Sequence, residues 1–166
     1  DLYDPFCDHL LVRDLASGEV VGTYRILPTE AARRVGSYYS EQEFDLTRLN
    51  FLRPRMAELG RSCVHPAHRS GSVIARLWMG LADYLARYGY DYLVGCASIG
   101  MADGGHIAAS VYRQLSNRYL APIEWRTTPR YRLPVESLDD GLTATLPPLI
   151  KGYTRVGAMV CGEPAW

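Results

Sequence analysis

Lysine is almost missing. Of eighteen basic residues seventeen are arginine, and Lys151 stands alone. Eighteen acidic side chains balance them to a net charge of zero, so no global basic field exists to hold a polyanion, and nucleic acid is excluded as the default partner. Arginine's planar fork suits carboxylate and phosphate, however, so local anion sites are expected. The four cysteines, Cys7, Cys63, Cys96 and Cys161, are far apart and form no C-x-x-C pair. That excludes a disulfide scaffold and reads as reduced, buried, structural thiols of a cytoplasmic protein. No apolar run approaches the roughly 18 to 20 residues of a membrane span, and no signal-peptide pattern opens the chain. Repeats, low-complexity tracts and long linkers are also missing. The 166 residues, 48% hydrophobic and 22% charged, therefore read as one globular domain, 1–166. The chain opens at Asp1 inside a Tyr/Phe-rich stretch and stops at Trp166 after Gly-Glu-Pro, and it reads as cut at both ends.

What is present reads as α/β (α+β). His9 to Arg13 and Glu19 to Leu27 are apolar or β-branched runs joined by the polar turn Asp14 to Gly18, a hairpin pattern. Pro28 ends the second run. From Thr29 to Pro54 the pattern breaks into short pieces rich in Arg, Tyr and Glu, a candidate lid or acceptor site, and Ser40 with Glu43 has capping-box spacing that predicts a brief helix from Glu41. Met56 to Val64 reads as a central strand stopped by Pro66. Ile74, Leu77, Trp78, Leu81 and Leu85 form one apolar stripe of a helix that Gly89 ends. Tyr92 to Ala97 is a short buried strand, and Gly104 to Leu120 a second amphipathic helix marked by Ile107, Val111 and Leu115. Strand-like stretches follow at Trp125 to Leu133 and Arg155 to Val160, around a Pro147-Pro148 connection. Antiparallel strands followed by a βαβα core with parallel pairing is the expected architecture.

Several constellations carry chemistry. The junction from Val64 through His65, His68, Arg69, Gly71 and Ser72 leads from a strand into a helix, where free N–H groups hold phosphate and Arg69 adds a charge-assisted contact; a plain capping turn is the other reading. His65 and His68 have H-x-x-H spacing, but with no third ligand in evidence zinc is rejected. Glu58 and Arg61 are three apart in the central strand, and a period of two sends them to opposite faces. A bulge at Gly60 would bring both to one side and leave N–H groups for an oxyanion; a strand-end salt bridge is the alternative. Arg25 sits inside an apolar strand and needs an anion, either Glu58 or a substrate carboxylate. Asp1, Asp4 and Asp8 form either an amine-binding cluster or a solvated turn. Tyr112 is either core or, facing a cleft, a proton donor to a leaving group.

Cys7-Asp-His-Leu-Leu-Val-Arg-Asp14, Gly22-Thr-Tyr-Arg25-Ile-Leu-Pro28, Tyr38-Tyr-Ser-Glu41 with Glu43-Phe-Asp-Leu46, Glu58-Leu-Gly-Arg61-Ser-Cys-Val-His-Pro66 and Gly95-Cys-Ala-Ser-Ile99 together resemble the GNAT-type N-acyltransferases of ornithine lipid synthesis, also labelled hemolysin-like. The likeness runs nearly end to end, through Leu146 to Tyr153 and Cys161 to Trp166. It implies a GNAT-like mixed sheet with a V-shaped cleft between central strands, and transfer of a fatty acyl group, often 3-hydroxylated, from acyl carrier protein to the α-amine of ornithine, giving a lyso-ornithine lipid. Asp1, Asp4, Arg25, Glu58 and Arg61 also resemble conserved positions of acyl-homoserine lactone synthases. Of the GNAT donor signature only Arg69 matches, with Ser72 and Ile74 at the later small positions, which favours a 4'-phosphopantetheine thioester on the carrier over acyl-coenzyme A. The family has further segments at both ends that this chain lacks.

The resulting expectations are specific. Glu58 is the first choice of general base and Asp4 the second. Gly60, Ser62 and Cys63 supply oxyanion N–H groups, and Arg69, Gly71 and Ser72 hold the donor phosphate. Arg25, Arg61 and Asp1 hold the acceptor, and Tyr112 protonates the thiolate. Arg33, Arg34, Arg53, Arg55, Arg69 and Arg76 offer a landing patch for an acidic carrier. No bound cofactor or metal is called for. The location is cytoplasmic, with peripheral contact at the inner membrane through the lipid product. An acyl-homoserine lactone synthase and a non-catalytic acyl-carrier or lipid-binding fragment are the competing classes.

Overall fold

The computed structural model describes residues 1–138 and 141–166. The chain forms two compact units, one of residues 1–39 with 52–96 and the other of residues 40–51 with 97–166. The first is built on a four-stranded sheet. Strand β1 (Asp8–Arg13) and β2 (Val20–Pro28) make the expected antiparallel hairpin. Pro28, locked in φ and unable to donate, closes β2 and caps α1 (Thr29–Val35). This helix falls where only short irregular pieces were expected: its seven residues are too few for a periodic stripe, and it buries just Thr29, Ala31 and Ala32.

Strand β4 (Met56–Val64) has the span read from sequence and lies inside the sheet, whose order is β1-β2-β4-β5. Helix α2 (Ser72–Tyr88) crosses over to β5 (Tyr92–Val94), which pairs parallel with Met56 to Glu58 of β4. β5 is shorter and more exposed than expected, and β4 continues from Leu59 to Val64 past their last pairing. That divergence is the V-shaped opening of the expected architecture. The buried line of α2 is Val73, Leu77 and Leu81; Ile74, Trp78 and Leu85 flank it half-buried.

The second unit contains β3 (Phe44–Asp45) paired antiparallel with β6 (Thr128–Pro129), helix α3 (His106–Tyr119) and helix α4 (Pro148–Arg155). Four expectations are corrected here. Ser40 to Glu43 forms a 3-10 turn over Tyr39–Gln42, closed by a bond from the Glu43 N–H to the Ser40 carbonyl. Ile107 is exposed, because α3 buries Ala108, Val111 and Leu115 instead. The strand read at Trp125 to Leu133 shrinks to β6 after a 3-10 turn at Ile123–Trp125. The stretch read as a final strand, Arg155 to Val160, holds the last residue of α4, a turn at Val156 and Gly157, and irregular backbone, with only an isolated bridge from Val160 to Leu120; α4 itself starts at Pro148, where a missing N–H costs nothing.

Close approach of α2 to the sheet depends on Gly22. A Cβ there would lie 2.5 Å from Val73 Cγ1 and 3.2 Å from Leu77 Cδ1. Gly22→Ala should therefore cost about 1 to 3 kcal/mol by overpacking, read as a lowered urea midpoint; an unchanged midpoint would show that α2 is free to move outward.

Candidate functional site

The cleft face of the first unit is set by strand register. Glu58 faces Leu27 and Gly60 faces Arg25 across the β2–β4 ladder, so Glu58, Gly60 and Arg25 share one face. The register then slips: Thr23 faces Cys63, leaving one extra residue in β4 opposite Tyr24. Arg61 is that residue's neighbourhood made visible, with φ of 51° and no other non-glycine in the left-handed region among the described residues. The expected bulge exists, one position beyond Gly60. The Arg25 guanidinium packs over Gly60, where an added Cβ would meet it at 3.7 Å, an ordinary contact.

The arginines converge. Arg25, 4% exposed, donates through Nη1 to Asp1 Oδ2 at 2.6 Å and to Asp4 Oδ1 at 2.8 Å. Its guanidinium lies 5.9 Å from the Tyr3 ring centre and 5.5 Å from that of Tyr39, and these rings meet edge to face. A desolvated cation is thus held by two carboxylates and two π-faces. Arg61 reaches the same place, 3.1 Å from Asp1 Oδ2 and 6.0 Å from the Tyr39 ring. Glu58, 3% exposed, accepts the Tyr39 backbone N–H at 2.6 Å. Five residues singled out from sequence therefore gather around Tyr39, which sequence reasoning missed although the Tyr38-Tyr39 pair lies in a motif. The signal that pointed there was the burial of Arg25, since a buried guanidinium calls for aromatic faces as well as anions.

One assignment changes. The carboxylate partners of Arg25 are Asp1 and Asp4, where Glu58 or a substrate carboxylate was expected. Asp4, the second choice of base, is engaged by Arg25, whose Nη1 donates to its Oδ1 at 2.8 Å.

At the strand-to-helix junction, Arg69 Nε donates to the Val64 carbonyl at 3.1 Å and His65 Nδ1 accepts from Ala67 N. Gly71, at φ 100°, precedes Ser72, and no side chain caps α2. The His65 and His68 rings touch edge to face, and among the described residues no group of His, Cys, Asp or Glu could hold a metal. Cys63 is exposed and Cys7, Cys96 and Cys161 half-buried, where buried thiols were expected; none of the four forms a disulfide. Tyr112 lies in the second unit, half-buried against the Ala108 and Leu133 cluster, and burial pushes its phenol up, so it keeps its proton at neutral pH.

A family model for the acetyltransferase (GNAT) domain matches residues 1–79. The L-ornithine N(alpha)-acyltransferase of Brucella abortus is 37% identical over 96% of this chain and 62% of its own length. That of Rhodobacter capsulatus is 37% identical over 100% of this chain and 68% of its own. An acyl-homoserine-lactone synthase of Rhizobium etli is 29% identical over 80% of this chain and 57% of its own. The chain spans about three fifths of the Brucella relative.

The Arg25–Asp4 pair gives a pH test. A carboxylate paired with a buried guanidinium contributes stability above its unfolded pKa, and that contribution is lost as acid protonates it. Asp4→Asn should lower the urea midpoint at neutral pH, and its deficit against wild type should shrink as pH falls below about 4; equal midpoints at neutral pH would show that Asp4 is not coupled to folding.

Proposed function

Because this chain belongs to the L-ornithine N(alpha)-acyltransferase family, we propose that it forms the acyl-transfer core of an enzyme that N-acylates ornithine. The observation that carries the reading is Glu58, buried on the bulged face of β4 beside Arg25, Arg61 and Tyr39.

The acceptor arrives as an ammonium ion. Glu58, directly or through a water, takes one proton; the freed nitrogen pair attacks the thioester carbonyl carbon, the C–S bond breaks as the tetrahedral intermediate collapses, and the second ammonium proton leaves the nitrogen to balance the one delivered to the thiolate. N–H groups of Gly60, Ser62 and Cys63, at the bulge where the ladder is interrupted, stabilise the oxyanion by roughly 3 to 4 kcal/mol per well-placed donor. Tyr112 is assigned the proton for the departing thiolate on the chemistry of its side chain. Arg25 and Arg61, tied to Asp1 and Asp4, brace the wall of the site.

The donor in this reading is a fatty acyl chain on the 4'-phosphopantetheine of an acyl carrier protein. Its phosphate lies at the uncapped start of α2, near Arg69, Gly71 and Ser72, where unpaired N–H groups and the helix dipole favour an anion. No described helix is long and apolar enough to cross a membrane. The lipid product supplies the proposed peripheral contact with the inner membrane.

Two measurements test this. With acyl carrier protein thioester and ornithine, Glu58→Gln should lower kcat about 100-fold or more, followed by free-thiol release; turnover within a few-fold of wild type would refute the base. Arg69→Glu with Arg76→Glu should weaken carrier binding and flatten its salt dependence; unchanged affinity would remove the patch from consideration.

A further inference from the structure

β4 and β5 pair in parallel through Met56–Tyr92, Ala57–Leu93 and Glu58–Val94, and the residue that follows the last of these pairs is Gly95. We propose that Gly95 is a positioning residue: its missing side chain sets how the two chains part beside Glu58, and thereby where the acyl thioester seats. The assignment rests on the N-acylation reading.

The approach at Gly95 is closer than a side chain permits. A Cβ there would stand 2.5 Å from the Leu59 carbonyl oxygen, 3.5 Å from the carbonyl carbon and 3.8 Å from Leu59 Cβ. The two nearest atoms are backbone, so no change of rotamer makes room; at Gly22 the obstacle is instead the end of the Val73 side chain. β4 is also pinned from its other side. Leu59 faces Ile26 across the β2–β4 ladder, and its side chain packs on the buried cluster of Ile26, Ala57 and Leu81.

Direction explains why the ladder ends here. In a regular strand each Cβ stands out of the sheet and clears the neighbouring strand. At Gly95 the empty Cβ direction runs into β4. The chain has therefore rotated about its own axis at this residue, which stops the pairing at Glu58–Val94 and opens the V. Glycine is the residue that allows a backbone to come so near another.

The contact falls at the proposed chemistry. Leu59 lies between Glu58, the base, and Gly60, the first of the oxyanion donors. Gly95 is exposed, so its surface stays open to a ligand and is not spent on the core. Because β4 is pinned, a side chain at position 95 obliges its own segment to yield. That segment either turns back into regular pairing, which carries the ladder one step further and narrows the opening, or moves off β4 and widens it. Both outcomes shift the seat of a thioester relative to Glu58 and the bulge.

The test uses the full chain with acyl carrier protein thioester and ornithine, and compares wild type with Gly95→Ala, Gly95→Ser, Gly22→Ala and Gly100→Ala. Both Gly95 variants should lower kcat about 10- to 100-fold, the effect of misplacing reacting groups by up to about 1 Å, with KM for ornithine within about threefold of wild type. Gly22→Ala controls for lost stability. Gly100→Ala, whose Cβ meets nothing within 4 Å, controls for lost backbone freedom. Both controls should keep kcat within about twofold at a temperature where thermal unfolding shows every variant folded. A wild-type kcat in Gly95→Ala would overturn the proposal, as would an equal loss in Gly22→Ala, which would make the effect one of stability. A second measurement needs no variant: wild type is titrated with an acyl 4'-phosphopantetheine thioether, whose methylene in place of the carbonyl cannot react, and its amide NMR signals are followed. The Gly95 and Gly60 signals should shift together; an unmoved Gly95 signal would overturn the proposal. Shifts at both residues, with no acyl-ornithine formed from the true thioester, would keep the seat and refute the N-acylation reading.

Discussion

The left-handed turn of Arg61 within β4 is the constraint on which the rest of the first unit depends. A regular strand would send the Arg61 side chain to the face opposite Glu58 and Gly60. One extra residue, inserted between the Thr23–Cys63 and Arg25–Gly60 pairings, brings it round to Asp1 and Tyr39. A non-glycine residue held there costs on the order of 1 kcal/mol or more. The intact ladder on both sides prevents relaxation, and the new contacts to Asp1 and Tyr39 offset part of the cost. An interrupted ladder is also where strand N–H groups can turn outward, so one insertion serves both side chains and main chain.

Charge pairing then sorts the polar residues into separate duties. Arg25 is buried, and a buried cation without anions is far less stable than one with them. Asp1 and Asp4 meet that need, each accepting from Arg25 Nη1. Glu58 accepts the main-chain N–H of Tyr39, a bond that orients its carboxylate. Tyr39 links the two halves of this arrangement, presenting its ring to both arginines and its amide to the acid.

Legibility in the sequence followed the length of each pattern. β4, α2 and the hairpin were readable because nine-residue and seventeen-residue runs repeat their period several times. α1, β3 and β6 were not, since seven or two residues carry no period. The α2 face was misjudged by one position because Val73 and Ile74 are equally apolar, and only Gly22 beneath Val73 decides between them. Within the site, Glu58, Arg61 and Arg25 stood out as charges inside apolar strands. Tyr39 did not, because an N–H group is common to nearly every residue and its use is set by tertiary placement alone.

The same sorting rule reaches beyond the bulged face. In a chain with seventeen arginines and one lysine, the number of guanidinium groups says little about where an anion binds; what matters is which of them already have carboxylates. Arg25 and Arg61 have theirs, Arg55 is bound to Asp91, and Arg132 is bound to Glu163 and Glu136. Each such pair leaves a site with little net field. Arg33, exposed on α1, has no carboxylate partner among the described residues. Zero net charge overall is therefore compatible with strong local selectivity, provided acids and bases are distributed unevenly.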